Sequence, residues 1–496
     1  MNKTLKNILF LLTAFSLSKI VGAFTSFAIP KLLEPKDYGT WVILLLIVSY
    51  SPIIALGTVE ALLRQYPYYI GEGKFAKAKE IEGSVFSSIV ISSSFLILLS
   101  LSSQWLIHYP SIDPFKEQIR LIIFAAALSL YAAFFFHRFA AHQHFRIYGI
   151  IDTVRAIITL LFVCSFAWLW GLDGAVYGYL ATELTICMIL VLMSIKYCGN
   201  IQTCFVVRNI WEAVKIGFPI TIVWWALAFQ TSLDRVISSS MLGQTQTGYY
   251  GLGISVVGTL LLIPQAIAKV LYPKINEGIG KKLDFKGLSI LVVVPVRILS
   301  IIIPLISGML VITLPLIYSH IFPKYKPGLL SAQILMVGFF FVALIGNGVN
   351  YLVARNRQNI LFILVISSIV INATVAIILI KLGLGIEGVA IGTCIAAFAL
   401  ATSIWSMVLS NLGYDNKALL KEIFNLYSPF LLAIGLILII SCFSPSFIKS
   451  TSMLSIAYLC LFIICYLAIS LFIPPYKRVS RGLFEFVSIR TRRVRL

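Results

Sequence analysis

The chain alternates between long apolar segments and short polar ones along all of its 496 residues. A helix needs about 20 apolar residues to cross the hydrocarbon core of a bilayer, and fourteen segments reach that length. They lie near residues 7–29, 41–63, 84–107, 118–137, 149–170, 174–195, 215–240, 249–272, 287–318, 329–353, 360–381, 386–409, 424–443 and 453–473. Since these segments take up more than half of the chain, the sequence predicts an all-α polytopic membrane protein with about 14 transmembrane helices and no soluble domain.

The composition excludes the other broad classes of protein. Hydrophobic residues make up 59% of the chain and charged residues 12%, whereas a soluble domain is roughly 45–50% apolar and about 25% charged. Disorder requires the opposite balance, and a nucleic-acid-binding protein would carry its basic residues on a polar surface. The first segment is predicted to be a retained helix, because a signal peptide would end in a small-residue cleavage site.

The distribution of Lys and Arg predicts the orientation of the segments. Cytoplasmic loops of membrane proteins are enriched in Lys and Arg. With the N-terminus on the cytoplasmic side, 27 of the 39 basic residues fall in cytoplasmic segments and 8 in outer loops. Both termini are therefore predicted to be cytoplasmic, and the net charge of +20 mostly reflects topology.

Two sequence motifs recur at an interval close to 210 residues. GLDGAVYG at 171–178 recurs as GIEGVAIG at 385–392, an offset of 214, and LLEPKDYGTW at 32–41 corresponds to MLGQTQTGYYG at 241–251. Glycines also recur in apolar helices because they permit close packing, but two matches in the same order favour an internal duplication. Because each copy holds six segments, the copies share one orientation, as in transporters built from parallel repeats.

The duplication divides the chain into four predicted parts. They are an N-terminal six-helix lobe over 1–205, a C-terminal six-helix lobe over 206–412, an extra helix pair over 413–473 and a basic cytoplasmic tail over 474–496. A parallel pseudo-repeat of this kind predicts a central cavity and transport by alternating access. The tail is predicted either to bind anionic membrane lipid or only to set the topology.

Seven ionisable residues inside the predicted helices are the candidate functional residues. A charge at mid-membrane costs at least about 2.5–3.5 kcal/mol, so it normally faces a cavity or a partner. The basic ones are predicted to bind substrate in the cavity: Lys19, Arg155, Arg235 and Arg297. The acidic ones are predicted to act in coupling or in pairing: Asp152, Glu183 and Asp234.

Ion pairing offers a structural explanation for some of these charges. Asp152 precedes Arg155 by three residues, so the two share a helix face. Glu183 is expected either to pair with an arginine of the same lobe or to act directly in transport. The sequence leaves both alternatives open.

Three of the cations have no obvious partner at helical spacing. Asp234 is adjacent to Arg235 and points about 100° away from it on a helix, and nothing suitable flanks Lys19 or Arg297. We expect these cations to line the cavity, with snorkelling or packing as the structural alternative. Arginine is suited to bidentate contacts with phosphate, so a basic surplus favours an anionic substrate.

Enzyme chemistry is not predicted. The chain has no P-loop, no H-E-x-x-H motif and no Ser nucleophile elbow, and no metal or cofactor is expected. His108 and Asp113 have an H-x4-D spacing that can mark acyl transfer, but their loop is short and lacks a second catalytic element. The eight cysteines do not form a disulfide framework and are predicted to be free thiols.

A histidine cluster follows the fourth apolar segment. His137, His142 and His144 lie beside Arg138 and Arg146. We expect a basic surface at the membrane interface and not a metal site, because the loop itself contains no carboxylate.

Several motifs in order resemble those of a known family. They are LLEPKDYGTW after the first segment, ALLRQYPYYIGEGKFAKAKEI after the second, HRFAAHQHFRIYGIIDTVRA into the fifth, GLDGAVYG before the sixth and LDRVISSSMLGQTQTGYYG after the seventh. Over about residues 1–410 the chain resembles the bacterial polysaccharide flippases, which include the O-antigen repeat-unit flippases of lipopolysaccharide biosynthesis. Their superfamily also holds multidrug exporters and the lipid II flippase.

This resemblance implies a function. The protein would carry an undecaprenyl-diphosphate-linked oligosaccharide across the bacterial inner membrane through a cavity lined with basic residues. By position that role would fall on the same four cations, Lys19, Arg155, Arg235 and Arg297. Further implied partners are a polysaccharide polymerase and a chain-length regulator.

Other functions stay open at this stage. Many flippases of this kind have twelve helices, whereas the lipid II flippase has two extra helices that form a groove for the lipid tail. A cation-coupled multidrug exporter of the same fold would need a carboxylate in the first segment, where this chain has Lys19. A membrane acyltransferase or polymerase would need a large outer loop, and every predicted outer loop is short.

Overall fold

The computed structural model describes residues 3–106, 115–443 and 454–470, and within these ranges helices form and no strand occurs. The all-α prediction is therefore confirmed. The helices of the first half are α1 Lys3–Leu32, α2 Pro35–Tyr50, α3 Thr58–Gly71, α4 Phe75–Leu106, α5 Lys116–Ala141, α6 Phe145–Cys198 and α7 Val207–Gln230. Those of the second half are α8 Leu233–Leu242, α9 Gln244–Leu260, α10 Leu262–Gly280, α11 Phe285–His320, α12 Leu329–Ala354, α13 Gln358–Lys381, α14 Gly385–Asn411, α15 Asn416–Phe443 and α16 Leu454–Ser470.

The helices are long and apolar enough for a multi-pass membrane protein. Ten helical stretches of the described residues could cross a bilayer, or eleven if the two halves of α7, bent by 43°, form one span. The 54-residue α6 covers two of the predicted segments, and Trp170 and Gly171 depart from helical geometry where those segments meet. The predicted count of fourteen stays a prediction.

The chain forms two compact units, Met1–Ala228 and Phe229–Leu496. The core of the first unit is built from buried side chains of α3 to α6, among them Val85, Phe134 and Ile186. In the second unit the buried side chains include Phe339 and Trp405, whose indole N–H donates to a main-chain carbonyl of α12 at 3.0 Å. The predicted lobe limits stay a prediction. The predicted limit at residue 205 precedes α7, whereas the compact units divide near the end of that helix.

Close backbone contact fixes α7 within the first unit. A Cβ atom at Gly217 would lie 1.8 Å from the carbonyl oxygen of Gly57, so only glycine fits there. Gly57 itself has a φ of 79°, a left-handed conformation that favours glycine. At the start of α7, the buried Asn209 amide donates to Glu80 of α4 at 2.7 Å. The helix is therefore held at its beginning and near its middle.

The recurring glycine motif has the same structural role in both units. Gly171 and Gly385, 214 residues apart, both have a positive φ, 59° and 56°. Three residues later, a Cβ at Gly174 would meet the carbonyl oxygen of Phe166 at 1.8 Å, and one at Gly388 would meet Leu379 Cβ at 2.8 Å. Each motif thus reverses the chain and lets two helical segments touch. Close packing explains why glycine is required, and its recurrence at equivalent positions supports duplication.

The last two described helices pack on α11. The ring of Phe462 of α16 lies where a Cβ at Gly308 would be, at 2.1 Å, and the hydroxyl of Tyr466 donates to the carbonyl of Ile301 at 2.8 Å. Apolar side chains of α15 complete this cluster, including Ala433. The predicted tail over 474–496 and the His108–Asp113 pair lie outside the described residues.

We predict that Gly217→Ala destabilises the protein. The added methyl group would collide with rigid backbone at Gly57, and overpacking of this kind costs about 1–3 kcal/mol. The measurement is thermal unfolding in detergent followed by tryptophan fluorescence. Gly258→Ala in α9 is the control, because no atom lies within 4 Å of its added Cβ, and it should leave the unfolding temperature unchanged or slightly raised. Equal unfolding temperatures for both variants would contradict the contact.

Candidate functional site

The structure gives each predicted membrane-embedded charge a definite place. Lys19, Arg155 and the acidic residues Asp152 and Glu183 belong to the first unit. Asp234, Arg235 and Arg297 belong to the second. Three ion pairs result: Arg155 with Glu183, Arg235 with Asp234, and Arg297 with Glu422.

In the first unit, Arg155 binds a buried carboxylate. Its guanidinium donates to Glu183, which lies 28 residues later on the same long helix, beyond the bend at Gly171. Glu183 is fully buried, whereas the Arg155 side chain is 30% exposed. Within the described residues no direct ion pair joins Asp152 to Arg155, and their pairing along one helix face stays a prediction. For Glu183, the sequence left open a pairing with an arginine of the same lobe or a direct role in transport. The pairing is observed.

Lys19 lies on the helix that packs against Arg155. The Thr153 hydroxyl of α6 donates to the carbonyl oxygen of Ala14 in α1 at 3.1 Å. Lys19 follows Ala14 by five residues, about 7.5 Å along α1 at 1.5 Å per residue. Arg155 follows Thr153 by two residues, about 3 Å along α6. The Lys19 side chain is exposed, and in the part of the chain that the structure describes it has neither an ion pair nor a hydrogen bond.

The cluster of the second unit lies where α7 ends and α8 begins. Asp234 is buried, and its carboxylate accepts the main-chain N–H of Arg235 at 2.8 Å in the first turn of α8. The Arg235 Nε atom lies 3.9 Å from the same carboxylate oxygen, and its guanidinium donates to the carbonyl of Thr231 at 3.1 Å. The expectation that Arg235 lacks a partner is therefore wrong, because the first-turn carboxylate folds back toward its neighbour.

A polar network extends from Asp234 into the second unit. The Tyr250 hydroxyl donates to Asp234 at 2.7 Å and lies 3.3 Å from the Thr393 hydroxyl. Asp234 and Thr393, together with Arg235 and Gln230, line a cavity of about 210 Å³ between α8, α9, α12 and α14. The side chain of Arg235 is 21% exposed.

The ion pairs of Glu183 and Asp234 lie at positions that the recurring motifs relate. Trp41 and Tyr179 of the first unit correspond to Tyr250 and Thr393 by the offsets of the two recurring motifs. The Trp41 and Tyr179 rings meet edge to face with centroids 6.0 Å apart. Their counterparts are the hydroxyl pair beside Asp234. Each unit therefore places a buried carboxylate and an arginine near the same pair of contacting helices.

Arg297 forms a separate ion pair. Its Nε atom donates to Glu422 of α15 at 2.6 Å, and the side chains are 14% and 3% exposed. The expectation that Arg297 has no partner is wrong, because the partner lies 125 residues later on a helix outside the repeat. The cavity-lining role of Arg297 stays a prediction, and the pair by itself accounts for the charge.

Arg138 of the histidine cluster is buried and does not contribute to a basic surface. Arg138 is 1% exposed and donates to Glu82 of α4 at 2.6 Å, and the Nε2 atom of His142 lies 2.9 Å from the same oxygen. The expectation of a basic surface is therefore wrong for Arg138. The loop itself has no carboxylate, but Glu82 of α4 supplies one. In the sequence, the presence of Glu82 near the start of an apolar helix could have indicated a buried partner for Arg138. Among the described residues no group of His, Cys, Asp and Glu could hold a metal ion.

Apolar helices of this length, with paired charges inside the helical bundle, define a multi-pass membrane protein. Residues 4–278 match the model of a family described as polysaccharide biosynthesis protein. Since the match covers more than half of the sequence, the chain belongs to this family. No curated protein shows a significant match to the chain.

Solved structures share the fold. The lipid II flippase MurJ in an inward closed conformation superposes with a TM-score of 0.71 at 14% identity, covering 94% of this chain and 99% of that one. An inward-facing multidrug resistance MATE transporter of the MOP superfamily gives 0.66 at 14% identity over 81% and 95% of the two chains. A point mutant of the Vibrio cholerae MATE transporter VcmN gives 0.58 at 16% identity over 83% and 98%. At these identities the likeness shows the fold alone, which is that of MOP-superfamily transporters.

We predict that Glu422→Leu destabilises the second unit. Removing one partner of a buried ion pair leaves an uncompensated charge and costs about 3–5 kcal/mol. Replacing both partners, as in Arg297→Met with Glu422→Leu, should recover most of that loss because no charge remains buried. Thermal unfolding of the single and double variants gives the coupling energy between the two residues.

The exposed pair of Glu277 and Lys281 is the control, with side chains 56% and 54% exposed. Glu277→Gln should change stability by about 0–1 kcal/mol. A double variant whose loss of stability equals the sum of the two single losses would show that Arg297 and Glu422 act independently.

Proposed function

We propose that the protein is a flippase that moves an undecaprenyl-diphosphate-linked oligosaccharide repeat unit across the bacterial inner membrane. The observation that carries the proposal is membership of the polysaccharide biosynthesis family in a chain with the MOP-transporter fold. The fold also occurs in the lipid II flippase MurJ, over 94% of this chain. The proposed substrate has an anionic head and an apolar tail, so only its head needs shelter from the bilayer.

The membrane-embedded cations supply the binding chemistry in this proposal. Lys19 is exposed, and Arg155 and Arg235 keep 30% and 21% of their side chains accessible although each contacts a carboxylate. A guanidinium has five N–H donors, so a pair that uses one or two of them leaves others for a diphosphate. The carboxylates would orient the arginines, which favours bidentate contacts with phosphate oxygens.

The acidic residues would limit the positive charge of the path. Glu183 and Asp234 each contact one arginine, so the net surplus is smaller than the number of cations suggests. A site that binds an anion must also release it, and partial neutralisation favours release. A role of Asp152, Glu183 or Asp234 in coupling to an ion gradient stays a prediction.

The orientation with both termini in the cytoplasm also belongs to the proposal. In the described part of the chain, basic side chains that lie over aromatic rings include Lys196 over Tyr197, Lys215 over Trp211 and Arg355 over Tyr351. These pairs occur at helix ends predicted to face the cytoplasm. Aromatic residues are enriched at membrane interfaces and basic residues on the cytoplasmic side, so the pairs support the proposed orientation. A polymerase, a chain-length regulator and anionic lipid at the tail stay predicted partners.

We predict that Lys19→Glu and Arg235→Glu abolish transport without removing the protein from the membrane. Charge reversal would repel the diphosphate, and a loss of about 1.4 kcal/mol of binding already means a tenfold weaker affinity. The measurement is surface polysaccharide in a native host that expresses only the variant, together with the amount of lipid-linked repeat unit retained in the cytoplasmic leaflet.

Two matched variants serve as controls. Lys31→Glu changes an exposed lysine on the same helix as Lys19, and Arg208→Glu changes an arginine whose side chain is 86% exposed. Both should keep wild-type polysaccharide. Normal polysaccharide in Lys19→Glu and Arg235→Glu would overturn the proposal, and a deletion strain that becomes sensitive to drugs but keeps its polysaccharide would favour an exporter.

A further inference from the structure

A groove runs along two helices of the first unit, and we call it the α5–α6 groove. It has a volume of about 640 Å³. Its walls are apolar side chains spaced three or four residues apart on one face of each helix. They are Leu128, Tyr131 and Phe135 of α5 and Cys187, Val191 and Ile195 of α6.

One end of the groove is polar and held in place. Arg138, bound to Glu82, also donates to the carbonyl oxygen of Gly199 at 2.9 Å. This contact fixes the segment after α6, which closes the groove with Asn200 and Thr203. Both of those side chains are exposed. The groove is therefore apolar along its length and ends in uncharged hydrogen-bonding groups beside basic ones.

Basic and aromatic side chains mark the depth of that end in the membrane. The Lys196 ammonium lies 5.6 Å from the centre of the Tyr197 ring, directly after the wall residue Ile195. On the next helix the Lys215 ammonium lies 5.7 Å from the centre of the Trp211 ring. Tyrosine and tryptophan collect at the level of lipid headgroups. The polar end of the groove therefore lies at headgroup level, and the apolar part extends into the bilayer.

The length of the groove matches one leaflet. From Leu128 to Arg138 the wall rises ten residues along α5, about 15 Å at 1.5 Å per residue. The hydrocarbon core is about 30 Å thick, so one leaflet contributes about 15 Å. The helices that form the walls are among the candidate membrane spans. The groove therefore faces the hydrocarbon of the bilayer, and a lipid tail that occupies it belongs to one leaflet.

We propose that the α5–α6 groove binds one acyl chain of a phospholipid whose phosphate lies near Lys196, Asn200 and Thr203. The segment over 196–215 carries three basic residues and one acidic residue, Glu212, which favours an anionic headgroup. An undecaprenyl chain is several times longer than the groove, so the length favours a phospholipid over the proposed transport substrate. The site is independent of the flippase proposal and needs no transport for its test.

The first test uses the wild-type chain. Purified protein is placed in phosphatidylcholine vesicles that contain phosphatidylglycerol with a photoreactive diazirine in one acyl chain. After illumination, mass spectrometry should find crosslinks concentrated on the wall residues of α5 and α6. Crosslinks spread evenly over exposed apolar faces would overturn the site. Stronger labelling of these walls by a diazirine-bearing polyprenyl phosphate would overturn the phospholipid assignment.

The second test fills the groove. Val191→Trp places a large ring among the wall residues, whereas Leu192→Trp changes the next residue, which is 60% exposed and does not line the groove. Phosphatidylglycerol binding to delipidated protein, measured by native mass spectrometry, should weaken about tenfold in Val191→Trp, equivalent to about 1.4 kcal/mol. It should not change in Leu192→Trp. Equal binding by the two variants would contradict the proposal, and the crosslinking result stands if Val191→Trp does not fold.

Discussion

Buried carboxylates make it possible for this helical bundle to contain arginine. A charge within hydrocarbon is expensive, and removal of one partner leaves the other uncompensated. Four arginines of the described helices contact a carboxylate that is at most 5% exposed. The pairs are Arg138 with Glu82, Arg155 with Glu183, Arg235 with Asp234 and Arg297 with Glu422. In all but the first pair the carboxylate is more deeply buried than its arginine, so the acid is the fixed partner and orients the base.

These pairs have different relations to the duplication. Those of Glu183 and Asp234 lie near equivalent helix contacts, Trp41 with Tyr179 and Tyr250 with Thr393. The two units have kept the packing geometry, including the left-handed glycines, but have placed different chemistry on it. A ring contact in one unit corresponds to a hydroxyl network around an acid in the other. The two units therefore differ in chemistry at positions that the recurring motifs relate.

The sequence predicted the helices better than the site. Apolar length and the recurring glycines were sufficient for the fold class, since both follow from local requirements of a helix in a bilayer. The partners of Arg297 and Arg138 were not predicted, because Glu422 and Glu82 lie on other helices and sequence spacing reports only neighbours on one helix. Arg235 was misjudged for another reason. Adjacent residues diverge inside a helix, but at the first turn of α8 an acidic side chain folds back to the backbone.

The contact between α11 and α15 bears on how a protein of this kind gains or loses helices. A shorter version of this chain that stopped after α14 would keep Arg297 within apolar surroundings and lose Glu422, its carboxylate partner. Truncation alone would therefore be selected against. The reverse change, adding the helix pair to a twelve-helix ancestor without the matching arginine, would also be selected against, because Glu422 would then be buried without a counter-charge. The arginine and the added helices are expected to appear or disappear together in the history of the fold.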